Sequence, residues 1–328
     1  MSTRRRPAAG PGIRRLAAAG LLATAAAGCS APGPLAAPYK DVTQYLADPA
    51  APRIAMAGVG RALVWAFATG ECGQERWGDF DTTSFAALNV KAFVDAGIDY
   101  VVSTGGEAGA FTCATAEGMQ RFLARYDSPR LVGLDFDIER QQTPAQIDAL
   151  ARRAAELQKS RPALRLSFTL ATHASPDGSQ RSLNALGERV LGSLREHGVD
   201  RAIINLMVMN YGPVDARWCV LRDGGAACDM GASALQAARN VHGKYGLPYE
   251  RIALTAMPGE NDVAGNVFTP ADAEVLARGA RELKLAAVHW WSLDRDRPCA
   301  AGSPRVSPLC HGLPDVTPGR FGTVLSGR

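Results

Sequence analysis

Residues 131–140 read LVGLDFDIER. Successive side chains of a strand alternate faces, so Val132, Leu134, Phe136 and Ile138 share one side. Gly133, Asp135, Asp137 and Glu139 share the other. Three carboxylates side by side in a buried strand destabilise it unless a site uses them. A structural polar network is the competing explanation, and an acidic metal site a second one. A metal site recruits acids or histidines from neighbouring strands. His173 and His289 are the available histidines, but no HxH pattern accompanies them, so no metal and no cofactor are expected.

The surrounding chain repeats one pattern. Strand-like runs fall at 62–68, 100–104, 131–139, 164–171, 202–210, 251–256 and 286–292, and YKDVTQY near residue 40 supplies a first one. Between them lie segments with helical periodicity, several opened by Ser or Thr and closed by Gly, such as TPAQIDALARRAAELQKS and TPADAEVLARGARELK. No glycine-rich phosphate loop follows an early strand, which argues against a doubly wound sheet. Eight βα units imply an α/β fold, a single (β/α)8 barrel spanning 39–328. Chemistry in such barrels sits at the C-terminal strand ends. That places Glu139 at the mouth and Asp137 one inward step below, where each carboxylate raises the other's pKa.

The formal net charge of +4 belongs to the leader. Removing the five arginines of residues 1–29 leaves 31 basic against 32 acidic residues, a net of −1. Nothing in that balance favours nucleic acid. The arginine-rich start and the short apolar run LAAAGLLATAAAG form a signal for export, covering 1–29. AAGCS resembles a bacterial lipoprotein cleavage site with Cys29 as the lipidated residue, and an ordinary signal peptide is the plainer reading. Residues 30–38, small and proline-rich, read as a tether. The other six cysteines are an even set in an exported chain, which implies disulfides. Local proximity favours Cys219–Cys228 and Cys299–Cys310, leaving Cys72–Cys113.

These residues carry a resemblance. GLDFDIE is similar to the DxxDxDxE motif of glycoside hydrolase family 18, the chitinase family. STGG (103–106) resembles that family's SxGG strand end, NLMVMNYG (205–212) its M-x-Y segment, and HWWSLDRD (289–296) its closing W-S strand. TAMPGENDVAGNVFTPADA resembles the short bacterial chitinases, so the likeness covers about 40–300. It implies that Glu139 protonates the glycosidic oxygen, Asp137 holds the substrate's acetamido group, and Asp135 tunes Asp137. Tyr211 would bond the acetamido group and Trp291 would stack under the sugar. Asn210 would line the site, Met207 and Met209 would either line it or fill the barrel, and Gly105 and Gly106 would allow close approach of chain or substrate at the rim. The chain departs from the family where Val132 replaces the motif's first Asp, on the outward face, and where Asn210 and Gly212 flank Tyr211 without an acid. Trp290 would be outer core. Trp65 and Trp77 are either packing or sugar platforms, and His289 reads as a core histidine.

The resemblance implies an exported, endo-acting, retaining hydrolase of β-1,4-linked N-acetylglucosamine polymers that works by substrate assistance. Its partner would be chitin or an N-acetylglucosamine-containing oligosaccharide. A monomer is expected, touching membrane only through the Cys29 lipid. Two other functions are weighed against it. One is an endo-β-N-acetylglucosaminidase acting on N-glycans. The other is a silent carbohydrate-binding barrel, against which the presence of Glu139 argues.

Overall fold

The computed structural model describes residues 1–3, 35–42, 52–139 and 142–327. Most of the 1–29 signal segment, Cys29 included, and the first part of the 30–38 tether lie outside them. Eight strands close into a parallel barrel. They are β1 (Leu35–Asp41), β2 (Ala62–Ala68), β3 (Asp99–Gly105), β4 (Leu131–Asp137), β5 (Arg165–Ala171), β6 (Ile203–Met207), β7 (Ile252–Ala256) and β8 (Ala287–Trp291). Each pairs with its neighbours in sequence, and β1 pairs with β8 to complete the ring. β1 begins at Leu35, so the last four residues of the 30–38 segment belong to the barrel and not to a tether.

Seven helices lie among the described residues: α1 (Thr82–Ala96), α2 (Ala116–Tyr126), α3 (Pro144–Ser160), α4 (Ala185–Glu196), α5 (Met230–Tyr245), α6 (Pro270–Glu282) and α7 (Arg320–Ser326). Six of them cross between successive strands. Thr143 and Thr269 open α3 and α6 with reciprocal capping boxes, each followed by a proline that fits the first helical turn. Gly97 and Gly246 close α1 and α5 in the left-handed conformation.

Outward strand residues and inward helix residues form one continuous core. Leu134, Phe136 and Ile138 enter it as the alternation predicts. Trp65 stacks on Tyr100 at 4.3 Å, and Trp77 donates its indole N–H to the Tyr126 hydroxyl at 2.7 Å. Both tryptophans are fully buried in this layer, so neither is a sugar platform. Trp290 is outer core too. Val132 departs from the sequence reading. The pairing slips between Tyr100 and Val101, which face Leu131 and Gly133 respectively. That extra residue turns Val132 toward an inner cluster that includes Val64 and Val101.

Three cystines tie the loops at the strand ends: Cys72–Cys113, Cys219–Cys228 and Cys299–Cys310. A buried ion pair, Lys40 Nζ to Asp294 Oδ1 at 2.5 Å, fastens β1 to the chain leaving β8.

Loop length sets what each cystine contributes. The 41-residue separation of Cys72 and Cys113 exceeds those of 9 and 11 in the other two. Replacing both Cys72 and Cys113 with Ala is expected to cost about 4 kcal/mol, against about 3 kcal/mol for either short loop. Chemical denaturation of the three double variants measures the ranking.

Candidate active site

The acidic face of β4 points into the barrel and ends at a pocket of about 270 Å³ at the mouth. Asp135 is deepest, 1% exposed, and four hydroxyl groups donate to it. Tyr39 (2.9 Å) and Ser103 (2.6 Å) reach Oδ2, while Ser167 (2.6 Å) and Thr169 (2.8 Å) reach Oδ1. A second tier fixes which way these protons point. The Thr255 hydroxyl donates to Asn205 Oδ1 at 2.9 Å. The Asn205 amide then donates to Tyr39 (3.0 Å) and Thr169 (2.8 Å). Both hydroxyls thus receive from above and give to Asp135, which only accepts. Burial raises the Asp135 carboxyl above its usual range, and the four donors pull it back.

Asp137 is the opposite case. It is 4% exposed, and its Oδ1 has no hydrogen-bond partner. Burial above all, then the charges of Glu139 and Asp135, push its carboxyl well above the ordinary value. Its surroundings therefore favour the protonated form of this middle acid. Glu139 is partly buried and, like Asp137, lines the pocket. The Tyr39 phenol is also pushed up, by burial and then by Asp135 and Asp137, so it remains a donor.

Trp291 forms part of the pocket wall, stacked on Phe67 with ring centroids 5.4 Å apart. Met207, Met209 and Asn210 line the site as the sequence suggests. Tyr211 does not. It is 1% exposed in the outer core, its hydroxyl lacks a partner, and it is absent from the pocket lining. The expected strand 202–210 stops at Met207, and Asn210 is left-handed at φ 49°. Alternation therefore ends before residue 211. Asn210 is held in that turn by Asp262, which accepts from its Nδ2 at 2.7 Å, and by the Val263 N–H, which donates to its Oδ1 at 3.2 Å. Gly105 and Gly106 are outside the pocket lining, and the close approach they allow is that of the chain, not of a ligand. A Cβ on Gly105 would sit 2.1 Å from the Asp137 carbonyl oxygen, and one on Gly106 would meet the Phe67 ring at 2.7 Å.

Tyr39, Phe67, Glu107, Thr169, His173, Met257 and Asp262 also line the pocket, and the sequence reading did not assign them. Phe67 shares parity with the outward Trp65, but the β2–β3 register breaks between Trp65 and Ala68 and Phe67 packs inward. Asp262 lies in the quoted run TAMPGENDVAGNVFTPADA, the one available signal for it. His289 is buried below the site. Its Nδ1–H donates to the Ala37 carbonyl at 2.9 Å, and burial lowers its pKa to about 4.

Fold and site define a (β/α)8 barrel with acids stacked on the inward face of one strand. No family model matches the chain. It is 29% identical over 242 residues to the probable bifunctional chitinase/lysozyme of Escherichia coli, covering 68% of this chain and 26% of that protein. It is 28% identical over 241 residues to endochitinase 11 of Metarhizium anisopliae, covering 64% and 42%. The chain thus spans under half the length of these curated relatives. The catalytic domain of the hyperthermophilic chitinase from Pyrococcus furiosus superposes with a TM-score of 0.68 at 26% identity, over 90% of this chain and 95% of that one. In sequence and fold the chain is thus similar to chitinases and to a chitinase catalytic domain.

The state of Asp137 has a consequence for stability. Its folded pKa is raised, so its contribution is fully present below the unfolded value near pH 4 and is lost as pH rises through the folded one. Asparagine has no proton to lose. The stability of Asp137→Asn relative to wild type is therefore expected to improve as pH rises above about 4, until the folded carboxyl itself ionises. Paired melting curves across that range test it, and a pH-independent difference would contradict a protonated Asp137.

Proposed function

We propose that the protein is an exported retaining glycosidase that hydrolyses β-1,4-linked N-acetylglucosamine oligomers and polymers with the substrate's own acetamido group as nucleophile. The observation that carries this reading is the split between Asp135, held as an acceptor by four hydroxyls, and Asp137, buried without a partner on Oδ1 and with its carboxyl pushed up beside Glu139. As substrate binds, Asp137 passes its proton to Glu139 and is left as the anion, and Glu139 gives that proton to the glycosidic oxygen as the C–O bond breaks. The acetamido oxygen attacks the anomeric carbon, giving an oxazolinium. Asp137 turns toward the acetamido N–H and stabilises the positive charge that develops there. Water, deprotonated by Glu139, then opens the ring. Two inversions at one carbon leave the β-configuration.

Trp291 and Phe67 supply an aromatic wall for a sugar face. Tyr211 is turned away from the pocket, so the Asn210–Asp262 pair takes its place as the polar wall on that side. Relatives named chitinase and endochitinase support the substrate class, and the quoted motifs support the mechanism.

Glu139→Gln keeps size and hydrogen bonding but removes the transferable proton, and should lower kcat by about 10²–10⁴ while oligomers still bind. NMR of a chitin oligomer digest should show the β-anomer forming first. First-formed α-anomer would overturn substrate assistance, and release of glycans from a high-mannose glycoprotein in place of chitin cleavage would move the substrate to N-glycans.

Export belongs to the same proposal, with Cys29 as the lipidated residue. Three cystines suit an oxidising compartment. Cys29→Ala is expected to shift the protein out of the membrane fraction. Identical soluble protein in both strains would rule out the anchor.

A further inference from the structure

Arg295 is a buried cation that the reaction above leaves unused. It follows β8 and is 1% exposed. Among the described residues its guanidinium meets backbone carbonyls and no carboxylate. Nε and Nη2 donate to the Pro258 carbonyl at 3.3 and 3.0 Å, Nη2 donates to that of Glu260 at 2.5 Å, and Nη1 to that of Ser307. A buried charge with neutral partners is often less stable than an apolar side chain of the same volume. The fork geometry gives a reason for its presence, because its planar donors grip three carbonyls at once.

Two of those carbonyls belong to the loop after β7, whose Met257 and Asp262 line the pocket. The same loop is gripped from other directions. Arg305 donates to the carbonyls of Asn261 (3.3 Å) and Asp262 (3.2 Å) and to the Glu260 carboxylate (2.6 Å). The Glu260 N–H donates to the His311 carbonyl at 2.8 Å. Gly259 lies so close to that carbonyl that a Cβ would approach it to 1.7 Å. Cys299–Cys310 closes the segment that carries Arg305 and Ser307 and ends beside His311. On its far side the loop holds the pocket wall: Asn261 Oδ1 accepts from the Asn210 N–H at 3.3 Å, and Asp262 accepts from the Asn210 side chain at 2.7 Å.

We infer that Arg295 is a positioning residue that acts through the 258–262 loop to set Asp262, and through Asp262 the left-handed Asn210, against bound substrate. Its kinetic consequence rests on the glycosidase reading above; its mechanical consequence does not. The carbonyl grips act like one clamp between the loop after β7 and the segment after β8.

Arg295→Lys keeps the charge and removes the fork. In hydrogen exchange, the 257–266 and 205–212 segments of this variant are expected to exchange about tenfold faster, with 131–137 unchanged. KM for a chitin oligomer should rise about tenfold with kcat within about threefold. In an Asp262→Asn background the same substitution should change KM by less than about twofold, because its route to substrate is already cut. Unchanged exchange in both loops, or an equal KM loss in both backgrounds, overturns the proposal. Arg305→Gln, on the solvent side of the same loop, is the second variant if Arg295→Lys does not fold. It should loosen 257–266 in the same direction, and unchanged exchange there overturns the clamp. Should wild-type protein leave chitin oligomers uncut, the glycosidase reading fails, and the exchange experiment still decides the clamp.

Discussion

The four hydroxyl groups aimed at Asp135 are the constraint on which the rest of the site depends. They come from β1, β3 and β5, and the tier above them adds β6 and β7 through Asn205 and Thr255. One buried acceptor therefore braces six of the eight strands, its own β4 included, from inside the barrel. The directionality of the network matters as much as its strength. The hydroxyls of Tyr39, Ser103, Ser167 and Thr169 are committed to Asp135, while Asp137 Oδ1 has no partner among the described residues. Electrostatic poise and barrel closure are the same set of bonds.

Much of this was legible in the sequence. The acidic alternation of 131–139, the Thr-Pro helix starts at 143–144 and 269–270, and the three cystines express local rules, and local rules survive folding. Asp135, Asp137, Glu139, Met207, Met209, Asn210 and Trp291 all sit where the alternation and the motifs placed them or directly beside it. The failures share one physical cause. Parity holds only while the backbone stays extended. A slip at Tyr100 turned Val132 inward, and one left-handed residue at Asn210 sent Tyr211 into the outer core.

Neither break is encoded nearby. Asn210 takes its conformation from residues 51 to 53 positions further on. Tyr39 is inconspicuous in the sequence for a related reason. β1 carries a proline and no distinctive pattern, and its tyrosine gains meaning only beside Asp135, 96 residues away. Contacts of that range leave no mark on local composition.

The cystines have a consequence beyond stability. They join the loops after β2 and β3, staple the loop after β6, and close the segment after β8, while arginines secure the loop after β7. A mouth fastened at so many points is unsuited to folding over its cargo like a jaw. Sugar chains would enter a slot whose shape already exists, and the entropy of ordering those loops is spent at oxidation and not at each encounter. Such a slot discriminates by fit alone. A chain too bulky for the gap beside Trp291 is refused at the door, because the walls have no second posture to offer it.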